Sequence, residues 1–373
     1  MDLTIREVKT KTDRKDFVDL QFLLYKGKKH WVPPMKKDEL KALDPASNPA
    51  FKFCDTKAWL VERKGEVVGR VVAIVHNPYN KKKSINYGRI NRIEFVDDKD
   101  VFDLLIDTCE SWFKEKGMDH VHGPLGFSNL DTQGLLIDGF DFLPSIASVY
   151  HLPYYKDHFE RRGFEKENDW VEFRLTLTEG PVNKANRGVA IIKRRFGFES
   201  HRVQTKEELK KFAPRIFEIL NKAFAELPYV AELNQEMIDS FTKKYFDVID
   251  PRFISLVKKN GELVGFFIGL PSLSEAMQKS GGSLFPFGFI HLMRALKSPK
   301  VIDMMLTGVL PEHQANGVAV ILIGELQQRM LELGINVMET TGVFETNQAV
   351  IANWKNYEHI QHKRRRCYLK KIA

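Results

Sequence analysis

Three cysteines in 373 residues, Cys54, Cys109 and Cys367, are too few, too scattered and odd in number for a disulfide framework or a cysteine zinc site. Apolar runs are short; stretches such as VVAIV and VAVILIG fall far below the ~20 residues that span a bilayer. The opening MDLTIREVKTKTDRKD lacks the apolar core of a signal peptide. Low-complexity tracts are missing. The histidine pairs His120/His122 and His359/His362 have no third ligand close by in sequence, so no metal site is expected. These gaps argue against a disulfide scaffold, a membrane span and a metalloprotein, and they leave a folded, soluble protein expected in the cytoplasm.

What is present suits large cores. Hydrophobic residues make up 43% and aromatics 11%, with 27 Phe, and the length suggests two domains. The formal net charge of +8 favours polyanionic partners in general: nucleic acid, an anionic membrane face or a phosphate-rich cofactor. Alone it selects none of them.

An internal echo organises the chain. AWLVERKGEVVGRVVAIV (58–75) reads as two strands turned at Lys64-Gly65, and FISLVKKNGELVGFFIGL (253–270) repeats the pattern at Asn260-Gly261. Those glycines lie 261 − 65 = 196 residues apart. VFDLLIDTCESWFKEKGMDHVHG (101–123) is an amphipathic helix stopped at Gly117 and followed by a strand; VAVILIGELQQRMLELGINVMET (318–340) repeats it with Gly334. The second offset is 334 − 117 = 217, so the second copy carries about 21 extra residues. They fall in 271–300, read as a helix, a Gly/Pro break and a second helix, with FPFGFIHLM apolar enough for a substrate wall. Helices over 16–27 and 206–224 open the two copies. The polar TLTEGPVNKANRGV (177–190) marks the boundary, giving domains 1–178 and 188–373.

Between the strand ending at Val309 and the helix starting near Ala315 lies LPEHQANGVA (310–319). The first turn of a helix has N–H groups without intrahelical partners, at the positive end of its dipole. Gly317 removes a Cβ from the approach, and Val318-Ala319 add no negative charge, so the turn suits a phosphate.

As a pattern, TGVLPEHQANGVA resembles the acetyl-CoA signature of the GCN5-related N-acetyltransferase (GNAT) family, with Val309, Pro311, Gln314, Gly317 and Ala319 at its positions. Downstream, ETNQAVIANW (345–354) resembles the family's Asn-x-x-Ala-x-x-x-Tyr element through Asn347. The resemblance implies an α+β fold in two tandem GNAT-like domains, each a mixed, mostly antiparallel sheet flanked by helices. It further implies that main-chain groups of Thr307 and Val309 pair with the pantetheine arm. Gln314, Ala315, Asn316, Gly317, Val318 and Ala319 would form the pyrophosphate turn, and Asn347 would touch the arm. The co-substrate would be acetyl-CoA or another acyl-CoA.

The first copy differs at this turn. GRINRIEFV is followed by DDKDVFDLLI, where Asp97, Asp98 and Asp100 suit helix capping and repel an anion. Only its closing YYKDHFERRGF, with Phe159, Gly163 and Phe164, resembles the family. The N-terminal copy is therefore expected to lack a phosphate-binding turn.

Departures also touch the chemistry. Trp354 stands where the family's proton-donating tyrosine is usual, and an indole cannot serve as that acid. Met305 lies near where a carboxylate base is usual; Asp303, Glu312, His313 and Glu339 are close in sequence, and none stands out, so the catalytic residues stay unassigned. The loop 123–155 either lines an acceptor cleft between the copies or packs over the first sheet. QHKRRRCYLKK (361–371) reads as a final strand, with contact to tRNA or an acidic partner as the other reading.

The function expected is direct acetyl transfer from the thioester to a small-molecule or peptide amine, without a covalent intermediate. Two rivals stand beside it: an aminoacyl-tRNA-dependent peptidyl transferase of similar tandem fold, and an inactive CoA-binding or interaction scaffold.

Overall fold

Both hairpins turn through a pair of left-handed residues, Lys64 (φ 52°) with Gly65 (81°) and Asn260 (51°) with Gly261 (83°). Two consecutive positive φ values match the twist of the flanking strands, which is why a glycine occupies the second position of each. In the computed structural model, which describes residues 3–246 and 248–372, these hairpins sit at corresponding places in two series of elements.

The first series runs β1 (Leu3–Glu7), α1 (Lys11–Leu24), α2 (Lys36–Ala42), β2 (Cys54–Arg63), β3 (Glu66–His76), α3 (Asn77–Lys83), β4 (Tyr87–Phe95) and α4 (Lys99–Glu115). It continues through β5 (His120–Gly123), β6 (Leu135–Asp138), α5 (Tyr154–Arg161) and β7 (Glu165–Thr176). The second runs α6 (Glu179–Phe196), β8 (Phe198–Arg202), α7 (Lys206–Phe224), α8 (Gln235–Tyr245), β9 (Ile254–Lys259) and β10 (Glu262–Pro271). Then come α9 (Ser274–Ser280), α10 (Gly288–Lys297), β11 (Val301–Val309), α11 (Val318–Glu332), β12 (Val337–Thr340), β13 (Val343–Phe344), α12 (Gln348–Ile351) and β14 (Glu358–Lys371). The helix–break–helix reading of 271–300 thus corresponds to α9 and α10.

The chain divides into two compact units. One holds the residues up to Val171, Ser274–Phe289 and the chain from Lys363 on; the other holds Glu172–Leu273 and Ile290–His362. Residues 179–190, read from the sequence as part of a polar boundary, are helical. Pro181 is tolerated in the first turn of α6, and Val182 and Val189, seven apart, bury one stripe.

In the first unit β2 and β3 pair from Cys54↔His76 to Arg63↔Glu66, and β3 pairs antiparallel with β4. β4 then pairs parallel with β5 from Tyr87↔His120 to Arg89↔His122, and β14 closes antiparallel on β5. Helix α4 lays Val101, Phe102, Leu105, Ile106, Cys109, Trp112 and Phe113 into the core of this sheet. Each such large side chain contributes about 1.5–3 kcal/mol relative to exposure.

The second unit repeats the plan. β8 pairs β9, β9 pairs β10 and β10 pairs β11, all antiparallel; β11 and β12 are parallel, and β12 is antiparallel to the end of β7. Helix α11 buries Val318, Ile321, Leu322, Leu326 and Met330. Even the irregularities recur. Arg92 and Ile93 on β4 oppose the single Val71, and Met305 on β11 is an extra residue between the partners of Ile268 and Gly269. Each unit is therefore an α+β fold with a mixed, mostly antiparallel sheet flanked by helices.

Candidate cofactor site

β11 and β12 pair from Val301↔Val337 to Met304↔Thr340, and there β12 ends while β11 continues to Val309. Thr341 Oγ1 donates to Met304 O at 3.0 Å, holding the strands together at the point of parting. Beyond it, among the described residues, no strand pairs with the β12 side of residues 305–309. The N–H of Leu310 bonds Val264 O on β10 (3.0 Å). Main-chain groups alternate in direction along a strand, so Thr307 and Val309 point theirs away from β10, toward that side. These are the two residues that the family resemblance would place against a pantetheine arm.

The turn that follows is a 3-10 helix over Pro311–Asn316, ending at Gly317 in the left-handed region (φ 77°). The first bond of α11 runs from Ile321 N to Gly317 O (3.2 Å), so the N–H groups of Val318, Ala319 and Val320 precede the helical ladder. Among the described residues no side chain caps this end. Gln314 and Ala315 are exposed, and Asn316, Gly317 and Ala319 are half-buried.

Two assigned side chains and one glycine have local tasks. Gln314 Nε2 donates to Val309 O (3.1 Å), closing the turn on itself. Asn347 Oδ1 accepts from Val350 N (3.3 Å) as the cap of α12. A Cβ on Gly317 would lie 2.9 Å from Cδ1 of Ile192 on α6, so the space its missing side chain leaves is taken by that isoleucine. The glycine is required here by its φ and by close helix packing. The donors that an anion would meet at this turn are the N–H groups of Val318, Ala319 and Val320.

The sequence left the carboxylates undistinguished, and strand pairing separates them. Asp303 and Glu339 are partners across the parallel ladder, one rung before the strands part, and both are buried. Glu339 also faces Arg174 of β7, whose Nε donates to it at 2.6 Å. Burial raises Asp303 well above the usual carboxylate range; the charges of Glu339 and Glu172 raise it further, against the opposing effects of Ser272 and Arg174. Glu312 lies exposed in the turn, and the His313 ring packs edge-on to Phe198 (5.7 Å).

Trp354, at the family's tyrosine position, is buried. Three residues on, a phenol missed by the sequence reading occupies this region: Tyr357 donates its hydroxyl to Gln327 Oε1 of α11 at 2.7 Å. Burial raises its pKa, and the bond to a neutral amide marks it as an anchor of α11.

In the first unit the corresponding opening is filled. β4 and β5 separate after Arg89↔His122, but Ile90 O accepts from Leu125 N (2.8 Å) and Asn91 Nδ2 donates to Thr132 O (3.2 Å). Leu125, Phe127 and Leu135 are buried there, so 124–135 follows the packed reading of the long loop. At the turn, Asp98 caps α4 by accepting from Asp100 N (2.8 Å) and pairs with Arg63. The carboxylate takes the place where an anion would bind. Residues 358–371 form the expected closing strand, with Arg364 Nη1 and Arg366 Nε each 2.9 Å from Asp169.

The same unit brings Glu167 and Cys367 to His122, with ligand atoms within 4.8 Å of one another, a cluster that sequence distance concealed. Burial lowers the pKa of His122, and the buried Arg89 guanidinium nearby lowers it further, a field that also opposes a cation.

Residues 213–357 match the model of the Acetyltransferase (GNAT) family. Protein YghO of Escherichia coli (strain K12) is 27% identical over 386 residues, covering 99% of this chain and 95% of its own length. The Bacterial ceramide synthase of Caulobacter vibrioides (strain NA1000 / CB15N) is 27% identical over 382 residues, covering 100% and 98%. Among solved structures, a tandem GNAT protein from the clavulanic acid biosynthesis pathway superposes with a TM-score of 0.58 at 13% identity, covering 100% of this chain and 99% of that one. A GCN5-related N-acetyltransferase from Sphaerobacter thermophilus gives 0.53 at 12% identity, covering 100% and 96%. The fold is thus that of tandem GNAT proteins, built from two like domains. Residues 213–357 carry the sequence pattern of the GNAT acetyltransferase family, and the chain as a whole shares the fold of tandem GNAT proteins. Among the described residues no helix is long and apolar enough to cross a membrane.

Proposed function

We propose that the protein is an N-acyltransferase whose acyl-CoA co-substrate binds along the open edge of β11, with its pyrophosphate at the start of α11. The observation that carries this reading is the uncapped set of N–H groups at Val318–Val320, directly after a strand that stays paired with β10 but has parted from β12. The main-chain groups of Thr307 and Val309 would pair with the pantetheine arm. An acceptor amine would attack the thioester carbonyl: the C–N bond forms, the C–S bond breaks, and the thiolate leaves and is protonated. Asp303 is the candidate acceptor of the amine proton by position, one rung before β11 and β12 part, and it can take that role only when ionised.

The likeness to a bacterial ceramide synthase, extending over the whole chain, favours a long-chain acyl-CoA over acetyl-CoA and an amino lipid as acceptor. Calorimetric titration of acetyl-CoA and palmitoyl-CoA into wild type and Gly317→Glu tests the reading. Wild type should bind, with preference for the longer chain, and the variant should lose binding. No binding by wild type at millimolar ligand would end the proposal.

A further inference from the structure

Five of the ten large apolar side chains that stand exposed among the described residues fall within one stretch of ten. They are Leu284 (40% exposed), Phe285 (78%), Phe287 (67%), Phe289 (45%) and Met293 (62%). Phe289 and Met293 lie one turn apart on α10, and the Phe285 ring leans against that of Phe289 (centroids 6.1 Å). Concentrated aromatic exposure of this kind is uncommon on a surface that faces only water.

The segment leading to this tip is firmly held. Ser274 Oγ donates to Pro144 O (2.6 Å), and Gln278 Nε2 donates to the carbonyls of Lys29 (2.8 Å) and Trp31 (2.9 Å). Gly282 O accepts from Lys36 N (3.0 Å). The apolar side chains are thus carried on an anchored stem and protrude from it.

Charge selects the partner. From residue 276 to residue 302 the chain has no Asp or Glu, while Lys279, Arg294, Lys297 and Lys300 supply four cationic groups. Arg294, Lys297 and Lys300 are exposed. Aromatic and aliphatic side chains flanked by cations, without a carboxylate among them, match the interface of an anionic bilayer: rings enter the acyl boundary while the basic groups meet lipid phosphates.

We propose that residues 284–300 form a membrane-docking element that inserts Phe285, Phe287 and Phe289 into the surface of an anionic bilayer. This rests on exposure and charge, and it does not depend on the acyl-transfer reading.

The test is co-sedimentation of the full chain with vesicles of phosphatidylcholine alone, or with about a third phosphatidylglycerol. Wild type should pellet with the anionic vesicles, less with the neutral ones, and less as salt rises. Phe285→Ser/Phe287→Ser should weaken partitioning by on the order of tenfold or more. Arg294→Gln/Lys297→Gln should remove most of the difference between the two vesicle types. Both pairs are exposed, so unchanged melting curves are expected. Wild type staying in the supernatant with both vesicles would overturn the proposal, as would variants that pellet like wild type. Self-association lost in the Phe variant, without vesicle binding, would assign the patch to a second copy and overturn it equally.

Discussion

Asp303 of β11 and Glu339 of β12 face each other across a parallel ladder, both buried, and Arg174 pairs with Glu339. Two carboxylates so placed do not readily share two negative charges, and Asp303 is the one whose proton is held to higher pH. A carboxyl whose folded pKa lies above its unfolded value binds more protons in the folded state. Its ionisation therefore costs stability progressively as pH rises from the unfolded value toward the folded one, by at most about 1.4 kcal/mol per pH unit. Asp303→Asn should flatten this slope and unfold at higher denaturant above pH 7. It should also reduce acyl transfer and remove one limb of the pH–rate profile. Denaturant midpoints measured between pH 5 and 8 that track wild type throughout would contradict the assignment.

Gly317 and Ile192 give a second prediction. Gly317→Ala places a Cβ in the left-handed region and against the Cδ1 of Ile192, so a loss of about 1–3 kcal/mol is expected from strain and overlap together. Adding Ile192→Ala relieves the overlap but not the φ. In a double-mutant cycle the two substitutions should couple favourably, and strict additivity would show that the contact does not set the cost.

Histidines control the acid limb in the first unit. His76 and His151 are buried and pushed down to about 3 by desolvation. Each uses Nδ1 as an acceptor, from Tyr79 N (3.3 Å) and Leu136 N (3.0 Å) respectively, which requires that nitrogen to be unprotonated. A depressed histidine leaves stability untouched above its unfolded pKa of 6.5 and lowers it as pH falls below that value. By pH 5 each should cost about 2 kcal/mol. His151→Asn keeps an acceptor without the titration, so its unfolding free energy should fall less between pH 6.5 and 5. An unchanged acid slope would remove His151 from this account.

Tyr357 separates anchoring from acid catalysis. Tyr357→Phe leaves the buried Gln327 carbonyl without its donor and should cost about 1–3 kcal/mol. Because the phenol is bonded to an amide on α11, the pH optimum of acyl transfer should not move. A shifted basic limb in the variant would make Tyr357 the proton donor that Trp354 cannot be.

Much of the fold was legible because its signals are local. Glycine at the second position of each hairpin turn, the stripe of α4 and the stop at Gly334 all act within a few residues, and the echo between copies followed from them. The site was legible only in part. Its turn could be found from Gly317 and the helix behind it, but the reason for the glycine lies in α6, more than a hundred residues earlier. Asp303 could not be told from Glu312 because its distinction comes from Glu339 across the ladder and from burial. The filling of the first copy by 124–135, and the meeting of His122, Glu167 and Cys367, are likewise products of long-range pairing. At residues 177–190 the polar composition with Gly and Pro marks a boundary but hides a helix, because Val182 and Val189 suffice to bury one side of it.

The Asp98 cap and the packed 124–135 loop have a joint consequence for the history of the chain. Either one alone is reversible by a small change: a substitution would uncap α4, or a deletion would clear the strand edge. Together they form a ratchet, since each reversal brings no ligand while the other remains and carries its own loss of stability. A unit closed in this way at both its strand edge and its helix end would take up an anionic carrier only through two coordinated changes.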